Sequence, residues 1–432
     1  MKLDKNENKA NDFNIMVIGQ IISILGAAIL RFALDTYVLD ITARADIFAL
    51  LLAISTIPGI LLSPLGGVIA DRCNRRNLMV IFDFTSSSIV LIFSFILSAG
   101  NATIVFIGIT MTLLNIISSM YQPAVQASIP QLVKAENLEK SNGIVNGIGS
   151  LSNLAGPVLG GVLYSIVGIQ ILVVLTCCTF FLSAILELFL HIPFEKRIRT
   201  TSITNVVKSD MKEGFHFIMK DNPFIRKTII IATGMNLFLT PFFLVGTPYI
   251  MRILLKSSDV LYGSALGIIQ FSSIAGALSV AFFAKKLHVS QLYKWLLGIC
   301  VCMIPMAFGI SPYMLNIGYA PVFITFFLCA IPIIMIVTML SVYFISLVQK
   351  QTPNLIMGKV MAILIAVAQC AAPVGQLLYG QLFELYKYET YIVVAFMFIS
   401  VIILALIAKK FLKNEGETVH NRKGIEEAFA QE

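Results

Sequence analysis

Long apolar runs separated by short polar segments dominate the chain from residue 13 onwards. Twelve of these runs approach the length of about 20 residues that a helix needs to cross a bilayer. They lie at residues 13–40, 47–70, 78–98, 102–122, 142–166, 170–192, 228–251, 262–284, 293–311, 319–348, 359–383 and 390–411. The pattern predicts an all-α polytopic membrane protein with twelve transmembrane helices.

A long polar and basic segment divides the twelve runs into two sets of six, so we expect two six-helix halves joined by a connector. The predicted order is a tail at 1–12, a half at 13–192, a connector at 193–227, a half at 228–411 and a tail at 412–432. Inside the connector, residues 203–219 mix apolar and charged positions, which is typical of an amphipathic helix on a membrane surface. The segments Gln126–Pro130 and Gln349–Pro353 stand at matching places, which favours a parallel repeat.

Composition and charge agree with a membrane protein. Hydrophobic residues make up 58% of the chain, whereas a soluble domain has roughly 45–50%. Of the 31 Lys and Arg residues, 26 fall on one side of the predicted helices, one is Arg31 inside the first run, and four fall on the other side: Arg44, Arg252, Lys256 and Lys387. Basic residues accumulate in cytoplasmic loops, so both termini are expected in the cytoplasm. The net charge of +8 therefore indicates contact with anionic lipid rather than with nucleic acid.

The sequence offers no pattern for catalysis or for a cofactor. The seven cysteines lack the spacing of a metal site, and no P-loop, HExxH motif or nucleophile with a partner base is recognisable. We expect a protein that is not an enzyme, with no cofactor and no metal.

The segment from Gly67 to Arg76 is a burst of charge between the second and third runs. Gly67 precedes Asp71 by one helical turn, so a neighbouring helix could approach the backbone closely there. Arg72, Arg75 and Arg76 follow in the short loop, where another helix end could dock on Asp71 and the arginines. A basic loop that only sets the topology, together with a packing glycine, is the alternative interpretation.

This Gly-x-x-x-Asp-Arg-x-x-Arg-Arg pattern resembles the loop between helices 2 and 3 of the major facilitator superfamily, a large group of secondary transporters. The resemblance implies the major facilitator fold and a cytoplasmic gate at these residues. The family usually has Gly where this chain has Asn74. Because Asn tolerates positive φ, we expect the turn to persist.

The fifth run carries a second motif, made of Gly143, Ser152, Gly156, Pro157, Gly160 and Gly161. A proline removes a backbone hydrogen bond and bends a helix, and glycines spaced by four let another helix pack closely. The spacing resembles the antiporter motif of drug-exporting facilitators, with Ser152 where Gly is usual. That resemblance implies export. Ordinary packing of small residues is the alternative.

The segments Tyr121–Ala124 and Ile129–Val133, with the Gly67–Arg76 loop, resemble the macrolide-efflux and enterobactin-exporter branch of that family. The resemblance implies a monomer in a bacterial plasma membrane that exchanges protons for a hydrophobic or amphiphilic small molecule. Macrolide-type drugs and siderophore-like compounds both fit this description. Proton- or ion-coupled uptake of a small nutrient on the same fold remains the alternative.

Two charged residues of the first run, Arg31 and Asp35, lie one turn apart on one helix face. Each would cost about 2.5–3.5 kcal/mol at the membrane centre, so we expect neither to face lipid. They form either an ion pair that only stabilises the helix, or a cavity site where Asp35 binds a proton or a cationic substrate. A solvated position of Asp35 at the outer rim is the third alternative. We expect Asp83 and Glu187, near cytoplasmic helix ends, to be solvated or paired with basic loops.

Overall fold

A computed structural model gives the structure of residues 2–192, 211–283, 287–353 and 356–412; for residues 2–10, Pro64, Asp71 and Asp221 it describes the backbone only. The predicted C-terminal tail lies outside these residues from 413 onwards, and so does most of the connector, residues 193–210. Of the predicted amphipathic helix, only the part from residue 211 is described, and residues 211–216 are helical.

The described residues form long α-helices. The first five are α1 (Lys2–Thr42), α2 (Ala45–Arg72), α3 (Arg75–Ser98), α4 (Ile104–Leu132) and α5 (Leu138–Leu188). The others are α6 (Pro223–Phe238), α7 (Thr240–Pro248), α8 (Asp259–Phe283), α9 (Leu292–Gly309), α10 (Pro312–Ile317), α11 (Tyr319–Gln351), α12 (Met357–Leu385) and α13 (Tyr391–Leu412). A π-helical turn, Tyr249–Leu254, extends α7.

Eleven helical segments of the described chain are long and apolar enough to cross a membrane. One of them, Ala135–Leu188, has 54 residues and contains a break at Gly168, whose φ of 71° lies in the left-handed region that favours glycine. This segment therefore supplies two passes, which we call α5a (residues 138–167) and α5b (residues 169–188). Together with ten single passes, the described residues supply twelve, and the predicted all-helical membrane fold is confirmed.

The turn between α2 and α3 is much shorter than the charged segment Gly67–Arg76, most of which lies within the two helices. Only Cys73 and Asn74 separate the two helices. The expected positive φ at Asn74 is wrong, because its φ is −66°. Asn74 instead begins α3 as an N-cap, with its side-chain oxygen accepting from the backbone N–H of Asn77 at 3.5 Å. Where the family usually has a glycine, this chain thus has an asparagine whose side chain caps α3.

The helices group into two compact units. The first comprises residues 1–206 with 248–270, and the second comprises residues 207–247 with 271–432. In the first unit α1 and α3 pack on α5, and α2 packs on α4. Residues 248–270 follow the connector in sequence but belong to this unit, so the end of the seventh pass and the start of α8 complete its packing.

The second unit has its own core. Here α9 packs against α13 and α11, and α6 packs against α12. Phe242 lies in the centre of an aromatic cluster, 5.6 Å from the ring of Tyr379 and 5.8 Å from that of Phe383. The Tyr379 hydroxyl donates to the carbonyl of Phe238 at 2.7 Å, which satisfies a backbone acceptor where α6 ends.

Candidate functional site

The first unit contains a cavity of about 260 Å³ between α1, α2, α3, α4 and α5. Its apolar wall includes Leu30, Leu34, Leu52, Met111, Leu114 and Phe180. Its polar groups include Ser23, Arg31, Asp83, Asn115, Tyr121, Gln122 and Asn153. An apolar wall with a few hydrogen-bonding side chains is the usual composition of a small-molecule site, and such sites measure about 300–1,000 Å³. The cavity is slightly smaller than the lower limit of that range.

The structure separates the two charges of α1. Arg31 lines the cavity, whereas Asp35 is absent from its lining residues. No ion pair joins Arg31 to Asp35 in the described part of the chain. The Oδ1 atom of Asp35 is buried without a hydrogen-bond partner there. Although Arg31 and Asp35 are one helical turn apart, Arg31 lines the cavity and Asp35 does not.

Two acidic residues form a buried cluster beside the cavity. Asp83 on α3 is 2% exposed and Glu187 on α5b is 0% exposed. The Ser23 hydroxyl donates to Oδ1 of Asp83 at 2.9 Å, and the Tyr121 hydroxyl donates to Oε1 of Glu187 at 2.6 Å. The expectation that these carboxyl groups are solvated or paired with basic loops is wrong, because α1 and α4 cover both of them.

A signal for this cluster was present in the sequence. Asp83, Ser86, Ser87 and Val90 follow a helical spacing of three and four, and all of them are buried. Small polar residues in register with an acid on one helix face indicate an interior face. The position of Asp83 and Glu187 near helix ends, in contrast, does not indicate that they are buried.

A charged cluster joins α1 to the link between α7 and α8. Arg252 pairs with Asp40 of α1 and, at 2.7 Å, with Oδ1 of Asp259. Its Nη1 also donates to the carbonyl of Ser257 at 2.9 Å, and the Tyr164 hydroxyl donates to Asp40 at 3.1 Å. The Arg252 side chain is only 13% exposed. From the sequence Arg252 contributes only to the topology, because its partner Asp40 lies 212 positions away, although Asp259 is close in the sequence.

A family model described as Major Facilitator Superfamily matches residues 16–373, which is most of the chain. The chain belongs to the major facilitator superfamily. The chain therefore has the multi-pass membrane architecture of this family.

Two relatives are similar to this superfamily member. Macrolide efflux protein A of Streptococcus pyogenes is 22% identical over 231 residues, which cover 54% of this chain and 56% of that protein. The uncharacterized MFS-type transporter YvqJ of Bacillus subtilis is 22% identical over 283 residues, covering 65% of this chain and 66% of that protein. The chain thus matches little more than half the length of the efflux protein.

Solved structures share the major facilitator fold over nearly the whole chain. A bacterial homologue of the iron transporter ferroportin in an inward-facing state has a TM-score of 0.70 and 15% identity, covering 94% of this chain and 99% of that one. The nucleoside transporter NupG has a TM-score of 0.72 and 14% identity, with 93% and 99% covered. A D-xylose-proton symporter has a TM-score of 0.66 and 13% identity, with 95% and 98% covered. At these identities the likeness concerns the fold alone.

The facilitator loop at Gly67–Arg76 holds helix ends together through its arginines. Arg75 Nε donates to the carbonyl of Ala70 at 3.2 Å, near the end of α2. Arg76 donates to the carbonyl of Leu188, the last residue of α5. The last four carbonyls of a helix have no partner inside it, so basic side chains at these ends satisfy them. Asp71 belongs to the last turn of α2, but its side chain lies outside the described structure.

The expected close approach at Gly67 is wrong. A Cβ atom on Gly67 would meet no described atom within 4 Å. A Cβ on the preceding Gly66 would lie 3.0 Å from Cα of Met120 and 3.3 Å from the carbonyl oxygen of Ser119. Helix α4 therefore packs against Gly66, because neighbouring positions of a helix point about 100° apart and only one can face α4.

The glycines of the antiporter-like motif separate onto two faces of α5a. Side chains at Gly156 and Gly160 would collide with α1, at Ala28 and at Phe32 respectively, the second at 2.8 Å from Cδ1. Each pair is spaced by four residues, so small residues on α5a match one stripe of α1. These two helices make the most extensive contact in the first unit.

The other face of the motif packs against α8. A side chain at Gly161 would collide with the backbone of Asp259, and one at Gly263 would collide with the carbonyl of Pro157. Backbone-to-backbone contact of this kind is possible only between residues without bulky side chains. The motif residue Ser152 is buried, whereas a Cβ on Gly143 would meet no described atom within 4 Å. The structure thus brings Gly156, Pro157, Gly160 and Gly161 together at the α1–α5–α8 contact and leaves Gly143 apart.

We expect Gly161→Ala to lower the free energy of unfolding by about 1–3 kcal/mol, because the new methyl group overlaps the α8 backbone. The matched control is Gly147→Ala on the same helix, where a Cβ meets no described atom within 4 Å. That change should be neutral or stabilise by about 0.5–1 kcal/mol, as expected for replacing a helical glycine. Thermal unfolding of the purified protein in detergent measures both. Equal effects would contradict the close α5–α8 contact.

We expect Arg252→Gln to destabilise the protein by about 1–3 kcal/mol, because Asp40 and Asp259 both lose the cation of Arg252, whose side chain is only 13% exposed. Arg44→Gln is the control: Arg44 pairs with Asp46, but its side chain is 52% exposed, and such pairs contribute at most about 1 kcal/mol. The same unfolding measurement compares them. A smaller effect at Arg252 than at Arg44 would refute the role assigned to this cluster.

Proposed function

We propose that this transporter is a monomer that exports a hydrophobic or amphiphilic small molecule in exchange for protons. The observation that carries the proposal is the cavity of the first unit, whose apolar wall surrounds Arg31 and several amide side chains. The similarity to a macrolide efflux protein and the export-type glycine motif on α5a support the outward direction.

The guanidinium group of Arg31 limits the chemical class of substrate that fits the cavity. It lines the cavity and makes no hydrogen bond or ion pair with the described residues. A guanidinium group presents five N–H donors and no acceptor, so a fitting ligand brings acceptor oxygens or a negative charge. Asn115, Gln122 and Asn153 add further hydrogen-bonding groups around the same space. Macrolide-type drugs and siderophore-like compounds combine apolar surface with many oxygens and suit this arrangement.

Transport by alternating access needs two packings with different closed sides, and the substrate shifts the population between them. In the proposed cycle the cluster of Arg252 with Asp40 and Asp259 holds the outer helix ends together. The Gly67–Arg76 loop, at the other end of α2, forms the cytoplasmic gate when that cluster opens. The role of Asp71 in this gate rests on the sequence motif.

The proposed orientation places both termini and the α2–α3 turn in the cytoplasm of a bacterial cell, with six-helix halves on either side of the connector. The strong asymmetry of Lys and Arg supports it. Cys73 is exposed in that turn. With the other six cysteines replaced by serine, Cys73 should react with a membrane-impermeant maleimide in inside-out vesicles and not in intact cells.

The control for this labelling is Ala43→Cys in a chain without other cysteines, because Ala43 is exposed between α1 and α2. It should react in intact cells. Labelling of Cys73 from outside would overturn the proposed orientation.

The export proposal predicts that a pump-deficient host expressing this chain survives higher concentrations of at least one compound in a panel of macrolides, dyes and siderophores. The protection should disappear when an uncoupler collapses the proton gradient, because export then loses its driving force. Intracellular accumulation of labelled erythromycin measures the transport directly. Protection that persists with the uncoupler would contradict proton coupling, and protection against no compound would contradict this substrate class.

The same host tests the gate. Asp71→Asn keeps the size of the side chain and removes its charge, so we expect it to abolish resistance without lowering the amount of protein in the membrane. The control is Asp46→Asn at the other end of α2, where Asp46 is half-buried and pairs with Arg44. Unchanged efflux with Asp71→Asn would remove this residue from the gate.

Coupled uptake of a small nutrient on the same fold is the second candidate. A D-xylose-proton symporter is among the proteins that share the fold, and the fold supports both directions of transport. Accumulation of a labelled sugar or nucleoside in right-side-out vesicles under an inward proton gradient would favour uptake and contradict export.

A further inference from the structure

We propose that the buried carboxyl groups of Asp83 and Glu187, with the hydroxyl group of Tyr121, form the proton-binding site of this transporter. The inference rests on the proposed proton-coupled function and places the proton away from Asp35. The site joins α3, α4 and α5b next to the cavity.

The first observation is that both carboxyl groups are buried and only half satisfied. Asp83 accepts a hydrogen bond from Ser23, and Glu187 accepts one from Tyr121. The second oxygen of each group, Oδ2 of Asp83 and Oε2 of Glu187, is buried and has no hydrogen-bond partner in the described structure. An ionised carboxylate needs several donors, whereas a protonated one needs fewer because one oxygen carries the hydrogen.

The second observation is the lack of a compensating charge. Ser23 on α1 contacts Asp83, and Tyr121 on α4 contacts Glu187. Tyr121 is a titratable group in contact with the pair, and Arg31 lines the same cavity as Asp83. Within the described residues no Lys, Arg or His forms an ion pair with either acid. Arg76, from the start of α3, donates to the Leu188 carbonyl instead.

Two carboxylates without a cation in a membrane interior carry a high desolvation cost. Binding of a proton converts each carboxylate to a neutral acid and removes that cost. One proton on the pair leaves a single negative charge, held by the Ser23 and Tyr121 hydroxyls. The burial and the missing cation therefore point to the same ligand, which is a proton.

The third observation is the connection to the cavity. Asp83, Ser23 and Tyr121 all line it, whereas Glu187 lies behind Tyr121 and is absent from the lining. A substrate that enters the cavity thus reaches the groups that hold the proton. When a donor or cationic group of the substrate takes the place next to Asp83, the carboxyl O–H bond breaks, the carboxylate remains and the proton passes to cavity water. This exchange is the coupling step of an antiporter.

Infrared difference spectroscopy of the purified full-length protein tests the site without any substrate. We expect the carbonyl stretch of a protonated carboxyl group at neutral pH in the unaltered chain. The band should be lost in Asp83→Asn or in Glu187→Gln, and it should stay in Glu139→Gln, where the acid is exposed. A band that survives both changes, or that is lost only in Asp35→Asn, would overturn the proposal.

Tyr121→Phe keeps the ring and removes the donor to Glu187, so it tests the site if the other variants do not fold. We expect the pH at which the band disappears to shift in this variant. An unchanged titration would contradict the assignment of Tyr121. The conservative changes Asp83→Glu and Glu187→Asp should retain the band, because each keeps a carboxyl group in place.

Transport assays distinguish this proposal from the proposed function. In proteoliposomes, Glu187→Gln should retain exchange of labelled erythromycin across the membrane but lose its accumulation against a gradient. If the unaltered chain accumulates erythromycin without a proton gradient, the proton-coupled function fails, whatever the band shows. If accumulation in Glu187→Gln still depends on the proton gradient, the function stands and this site is refuted.

Discussion

A hydrocarbon environment that offers no hydrogen bonds is the constraint on which this structure depends. Every backbone N–H and C=O group in the membrane needs a partner within the protein, so the spanning segments are helices. The same constraint governs the helix ends, where Asn74 caps α3, and Arg75 and Arg76 satisfy carbonyls of α2 and α5. The arginines of the gate-like motif therefore also stabilise the ends of α2 and α5.

The lack of a hydrophobic driving force between helices inside lipid has a second consequence. Helices associate there through close packing and through polar contacts, and small residues permit the closest approach. On α5a, Gly156 and Gly160 meet α1, and Gly161 meets α8. One helix is thus fixed between two others by two stripes of small residues. A helix that is packed in this manner moves together with its neighbours, which suits the concerted motion that alternating access requires.

Polar side chains obey the same rule and show where function concentrates. Many hydroxyl groups in the described helices bond to carbonyls one turn earlier, as Thr36 does with Phe32 and Ser128 with Ala124. Several charged groups cannot use this local solution. Arg252 pairs with two carboxylates, whereas Asp35, Asp83 and Glu187 each keep a buried oxygen without a hydrogen-bond partner in the described structure. Unsatisfied polar groups in the membrane are costly, and at a transport site that cost can be repaid by a ligand.

The sequence by itself determined the elements of this protein, because their signals are local. Apolar runs of membrane length predicted twelve passes, and Gly168 marks the break between α5a and α5b. The motif residues also supported the family. Tertiary structure alone decided which side of each helix meets another helix. It placed Gly66 rather than Gly67 against α4, joined Arg252 to Asp40 across 212 positions, and buried Asp83 and Glu187 beside Ser23 and Tyr121. Such contacts depend on how helices distant in the chain rotate and pack against each other. A local pattern, such as the spacing of Asp83, Ser86 and Ser87, indicates an interior helix face but not its partners.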